Sequence, residues 1–180
     1  MELNQIVFQI ADFLKEFDST MPVHKNFKPG IGPFGEPQIV KEIARGLSSK
    51  GIESRTHRTP DMLIKNEWAV EFKIARPYGD NGTEAENWSV NLLHPYPGNI
   101  SLLGDCCKLQ TSGYSKKAVI VVGYEHNPAK IKLESLIRSF EVIASQVMGI
   151  HLSNRVEEIR TGLVHPVHQV VLVVGWEVLP

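Results

Sequence analysis

The run Lys117-Ala-Val-Ile-Val-Val-Gly-Tyr124 limits the fold more than any other stretch of the chain. It is short, apolar without interruption and rich in β-branched residues. A strand with one wet face alternates polar and apolar residues, and this run does not. It predicts a strand covered on both faces, as a central parallel strand is. Covering both faces takes helices, and amphipathic patterns supply them. Leu3, Ile6, Val7, Ile10, Phe13, Leu14 and Phe17 recur at helical spacing over residues 2 to 17. Ile39, Val40, Ile43, Ala44 and Leu47 mark a second helix, with Pro37 at its first position and Gly51 stopping it. A third follows a cap at Asn99 or Ser101, buries Leu102, Leu103, Cys106 and Leu109, and stops at Gly113. A fourth spans 133 to 148, with Leu136, Ile137, Phe140, Ile143, Ala144 and Val147 inward.

Strand patterns fill the gaps. Residues 52 to 58 alternate weakly. Asp61 to Ile64 and Trp68 to Ile74 flank the turn Lys65-Asn66-Glu67, and His168 to Val178 forms a last strand. Residues 149 to 165 fit neither period. The order is helix, helix, three strands, helix, strand, helix, strand. An α/β fold is expected, with a central mixed sheet flanked by helices, and 180 residues make it one domain.

The strand Trp68 to Ile74 carries the chemistry. Side chains alternate faces along a strand, so Glu71 and Lys73 point one way and Trp68, Val70 and Phe72 the other. An acid and an ammonium on an otherwise apolar strand are costly to bury without a task. Asp61, at the start of the neighbouring strand, reaches the same spot. Two carboxylates and a lysine suit a hard divalent cation and an activated water. The plainer account is a surface hairpin with a cross-face Glu–Lys pair.

Pro60-Asp61, a nine-residue gap, then Glu71-Phe72-Lys73 resembles the PD-(D/E)xK motif of the restriction-endonuclease-like nuclease superfamily. The resemblance covers roughly residues 36 to 124. It divides the single domain into an N-terminal helix and Pro/Gly-rich arm (1–35), a nuclease core (36–124) and a C-terminal helix and strand extension (125–180). The resemblance implies that Asp61 and Glu71 hold Mg²⁺ or Mn²⁺, with the Phe72 carbonyl as a further ligand, and that Lys73 positions the attacking water. It also implies a role for Glu36 at the inward start of the second helix, completing the metal's water shell. The order of Glu36 and the apolar residues after it is similar to that in archaeal Holliday-junction resolvases. Without the resemblance, Glu36 is an acid favoured by the helix dipole. Glu42 is the reserve candidate. Many nucleases of the superfamily cut both strands as dimers, so a homodimer belongs to the expectation.

DNA is the expected partner, with RNA left open. Arg76 sits three residues beyond Lys73 on the rim, where a guanidinium suits a phosphate. Arg55 and Arg58 flank the site on the preceding strand. Lys108 shares a helix face with Asp105 and either reaches the site or forms a surface pair with it. The aromatic stretch Trp88 to Asn99 hangs off the Glu71 strand and would shape a groove.

A net charge of −1 excludes a grip on nucleic acid by bulk positive charge. Cys106 and Cys107 are adjacent, which reads as reduced thiols in a cytoplasmic protein and lacks zinc-ligand spacing. No apolar run is long enough to span a bilayer. Two other functions share these residues: a non-catalytic binding or structural protein that keeps the nuclease fold, and a metal-dependent hydrolase of a small phosphodiester.

Overall fold

The computed structural model describes residues 1–21, 28–95 and 101–180. Strand β4 (Lys116–Glu125) carries the buried run and lies inside a six-stranded sheet. Ala118, Ile120, Val122 and Tyr124 enter one apolar core, and Val119 and Val121 enter another across the sheet. Both faces are covered, as the unbroken apolar run requires.

Strands β1 (Ser54–Thr56), β2 (Met62–Ile64) and β3 (Trp68–Ala75) form an antiparallel meander, and β3 pairs with β4 in parallel. The crossover between them contains a one-turn helix, α3 (Val90–Leu93), and α4 (Leu102–Gln110). Beyond β4 come β6 (Val170–Glu177) and then β5 (Val156–Thr161), both antiparallel, giving the order β1-β2-β3-β4-β6-β5. The sheet is mixed, with helices on both faces.

Helices α1 (Leu3–Thr20) and α2 (Glu36–Ser49) cover one face. Gly46 of α2 lies against the Phe13 ring of α1, where any side chain would collide with the ring. Helices α4 and α5 (Glu134–Val142) cover the other face, and α5 continues as a π-helical turn, Ile143–Val147. Ser101 caps α4, its hydroxyl accepting from the Gly104 N–H at 3.2 Å. Asn99, the other candidate cap, lies outside the described residues.

Several expectations shift. Gly35 caps α2, so Pro37 takes its second helical position rather than its first. The first strand shortens to three residues. Residues 149 to 165, which fit no period, contain β5. Its inward face is Val156, Glu158 and Arg160, and Arg160 pairs with Asp12 of α1 at 2.7 Å and with Glu158 at 2.7 Å. Ion pairs fill places that apolar residues would otherwise mark. Helix α3 is a single turn, shorter than the window in which a 3.6-residue period can be seen. Among the described residues, no helix is long and apolar enough to cross a membrane.

One buried carboxylate joins distant parts of the chain. Asp18, near the end of α1, accepts from the Ile31 N–H at 2.9 Å and from the Val164 N–H at 2.8 Å.

Candidate functional site

The β2–β3 register builds the site. Met62 faces Val70 and Leu63 faces Ala69, so Asp61, just before β2, falls opposite Glu71. The Asp61 N–H donates to Glu71 Oε2 at 3.2 Å, and the Phe72 N–H donates to Asp61 Oδ2 at 2.9 Å. Each acid thus sits against the other's strand. Trp68, Val70 and Phe72 turn into the opposite core, as the alternation predicts.

Lys73 is two residues along on the face of Glu71. Its ammonium donates to Glu36 Oε1 at 3.2 Å and to the Phe72 carbonyl at 2.9 Å, and it lies 2.8 Å from Asp105 Oδ2. Glu36 Oε2 accepts from the Ile74 N–H at 3.1 Å, which fastens the start of α2 to β3. Asp105 Oδ1 accepts from Lys108 at 2.7 Å. Lys73 is 8% exposed and Asp105 2%, so neither charge could persist there alone. The ammonium thus hydrogen-bonds Glu36 and the Phe72 carbonyl and forms an ion pair with Asp105.

Burial sets the protonation states. It pushes Glu71 up to about 8, with the Asp61 and Asp105 carboxylates adding to the shift. Burial also raises Glu36, against the pull of Lys73. Burial would lower Lys73, but Asp105 and Glu36 outweigh it and hold the ammonium above its ordinary value. Near neutral pH the site therefore contains a charged Lys73 and a protonated Glu71 facing Asp61.

A pH dependence follows. Unfolded, Glu71 ionises near its ordinary 4.5; folded, near 8. Between these values the native chain keeps a proton that the unfolded chain has released. The stabilising contribution is complete below 4.5 and is lost as pH rises toward 8, at up to about 1.4 kcal/mol per pH unit. Urea melts of metal-free wild type and Glu71→Gln at pH 5 and pH 8 test this. Wild type should lose more stability than the variant over that interval, and equal losses would mean that Glu71 is ionised throughout.

The other candidates scatter. Glu42 pairs with Arg45 at 2.6 Å, away from the cluster. Arg55 is on the site's side of the sheet but hydrogen-bonds Asn66 in the hairpin turn at 3.2 Å, and Arg58 is exposed in the following loop. Arg76 donates to the Gly32 carbonyl at 2.5 Å and lines a cleft of about 640 Å³ together with Glu36, Ile74, Tyr78, Trp88 and Asn91. The aromatic stretch thus contributes Trp88 to a groove beside Glu36; its residues Tyr96 to Asn99 lie outside the described residues. Lys108 reaches the cluster through Asp105.

Asp105, expected only as the partner of Lys108 on a shared helix face, keeps that pair but is buried and reaches Lys73 as well. It stands on the apolar stripe of Leu102, Cys106 and Leu109, at the spacing of a core position. An acid on that stripe was the available signal.

Among the described residues, no group of three or more His, Cys, Asp or Glu side chains converges as a ready-made metal cage. Mg²⁺ does not need one. It commonly takes one or two carboxylates and fills its octahedron with water and substrate oxygens. Asp61 and Glu71, each held against the other's strand, fit such an ion, and the Phe72 carbonyl, which accepts from Lys73, is the next backbone acceptor along β3. No family model, curated protein or solved structure matches this chain.

Proposed function

We propose that the chain is a Mg²⁺- or Mn²⁺-dependent nuclease that hydrolyses DNA phosphodiester bonds on a restriction-endonuclease-like core. The observation that carries this reading is the register that puts Asp61 opposite Glu71, with the Lys73 ammonium on the same face. Asp61, Glu71 and the Phe72 carbonyl would hold the ion. When bound, it would supply Lewis-acid stabilisation of phosphate charge and lower the pKa of a bound water. The remaining work belongs to the chain. Lys73, kept charged by Asp105 and Glu36, is a donor rather than a base. Transferring one N–H from the Phe72 carbonyl to a water would orient that water toward phosphorus. Glu36 stands beside Lys73 as an acceptor for an ordered water. Arg76, with donors left beyond its bond to Gly32, would meet a phosphate entering the cleft.

One observation favours a non-catalytic scaffold instead. The Lys73 ammonium is already held within the chain, by hydrogen bonds to Glu36 and the Phe72 carbonyl and by an ion pair with Asp105. Ion binding separates the two readings. Millimolar Mn²⁺ or Ca²⁺ should raise the melting temperature of wild type, because the ion takes the place of the Glu71 proton and binds only the folded arrangement of Asp61 and Glu71. Asp61→Asn should lose this rise together with Mn²⁺-dependent DNA cleavage. No rise with either ion would leave the scaffold. Cleavage of RNA or of small phosphodiesters, but not DNA, would move the substrate while keeping the site.

A further inference from the structure

The two edges of the sheet are unlike. Strand β1 is three residues long, whereas β5 is six, and among the described residues nothing pairs with its outer side. Long open edges invite pairing unless charge, proline or a bulge blunts them. Strand β5 carries charge, but arranged with two-fold complementarity. Val156, Glu158 and Arg160 face α1, and Glu157, Ile159 and Thr161 face the other side of the sheet. Ile159 is 51% exposed on one side, and Phe8, beneath the Arg160 guanidinium, is 42% exposed on the other.

Two copies of β5 related by a two-fold axis through the sheet run antiparallel with like faces aligned. Residues directly opposite must then be separated by an even number. Centring on Glu157, Glu158 or Arg160 sets like charges against each other. Centring on Ile159 sets Ile159 against Ile159, Glu157 against Thr161, and Glu158 against Arg160 twice. Directly opposed unlike charges and apolar residues stabilise an antiparallel pair, and like charges destabilise it. Only this last register is free of like-charge opposition among the centres within Glu157–Arg160.

We infer that β5 joins two copies of this chain edge to edge about Ile159. Within one copy, Arg160 Nη1 donates to Glu158 at 2.7 Å and to the Ile159 carbonyl at 2.9 Å. Both acceptors lie at the edge, and a second copy offers the same kinds of contact: its Glu158 to Arg160 and its backbone N–H to the carbonyl. Pairing exchanges these bonds and covers Ile159. This is independent of the nuclease reading, because β5 lies outside residues 36 to 124 and uses none of the site residues.

The test is register-specific. Sedimentation velocity of the full chain between about 1 and 200 µM should show a monomer–dimer equilibrium. Glu158→Arg, which opposes two arginines, and Ile159→Lys should each weaken it at least about tenfold. In a Cys107→Ser background, Ile159→Cys should cross-link to a covalent dimer under a mild thiol oxidant, since directly opposed Cα atoms lie about 4.5–5.5 Å apart, within disulfide reach. Thr161→Cys should not, because its two copies would be four residues out of register, about 13 Å apart. A monomer throughout this range, or equal cross-linking at 159 and 161, would overturn the inference.

Discussion

Lys73→Ala is expected to cut DNA at least about 100-fold more slowly than wild type while still binding Mn²⁺ and DNA. The lysine contacts the Phe72 carbonyl, Glu36 and Asp105 but neither Asp61 nor Glu71, so its loss leaves the carboxylate pair in place. Stability will not be untouched. The substitution leaves Asp105 buried with only Lys108 for company, and breaking a buried pair costs about 3–5 kcal/mol. A solvated surface pair would cost about 1 kcal/mol or less. The two effects separate in a double variant. Lys73→Ala with Asp105→Asn removes the stranded charge and should regain much of the stability without regaining cleavage. Rates in Mn²⁺ and urea melts on the four proteins of the cycle measure both. Equal rates for wild type and Lys73→Ala would end the catalytic assignment of this lysine.

Asp18→Ala is expected to be among the most destabilising single changes in the chain, although it lies far from the chemistry in sequence. It strands the Ile31 N–H in a buried place, costing about 1–3 kcal/mol, and loses the part-buried bond to the Val164 N–H, worth about 1 kcal/mol. A total near 3 kcal/mol would lower the melting temperature by about 6–12 °C for a chain of this length. Asp18→Asn should recover no more than part of this, because an amide offers one acceptor oxygen and turns a donor toward the second N–H. Thermal melts of the three proteins decide the matter; a loss below about 1 kcal/mol would mean that water replaces the carboxylate.

What the chain disclosed in advance follows the strength of its periods. The β3 alternation was legible because Trp68, Val70 and Phe72 must enter a core, and that fixes where Glu71 and Lys73 face. The doubly covered β4 was legible for the same reason. Asp105 was not, because a helical stripe reads as core, and the lysine that makes an acid tolerable there comes from another strand. Strand β5 was hidden because Asp12, 148 residues away, neutralises its inward arginine. The direction of Arg55 depends on a partner in the hairpin turn, where Lys65 and Asn66 both take φ of 52°, so its face could be inferred but not its reach. Pairings of this kind exist only once the chain has folded.

The docking of α1 on β5 and β6 has a kinetic consequence. Helix α1 is covered by strands made much later in the chain, β5 and β6, through Asp12–Arg160, Asp18–Val164 and the burial of Val7 and Ile10 in the core shared with Val171 and Val173. Until residues 156 to 177 have left the ribosome, the apolar stripe of α1 lacks its native cover. Closing such a long loop is slow, so the rate of folding should be governed by this late docking rather than by helix formation. During that interval the nascent chain presents Leu3, Ile6, Val7, Ile10 and Leu14 to chaperones, or to other chains in the same condition.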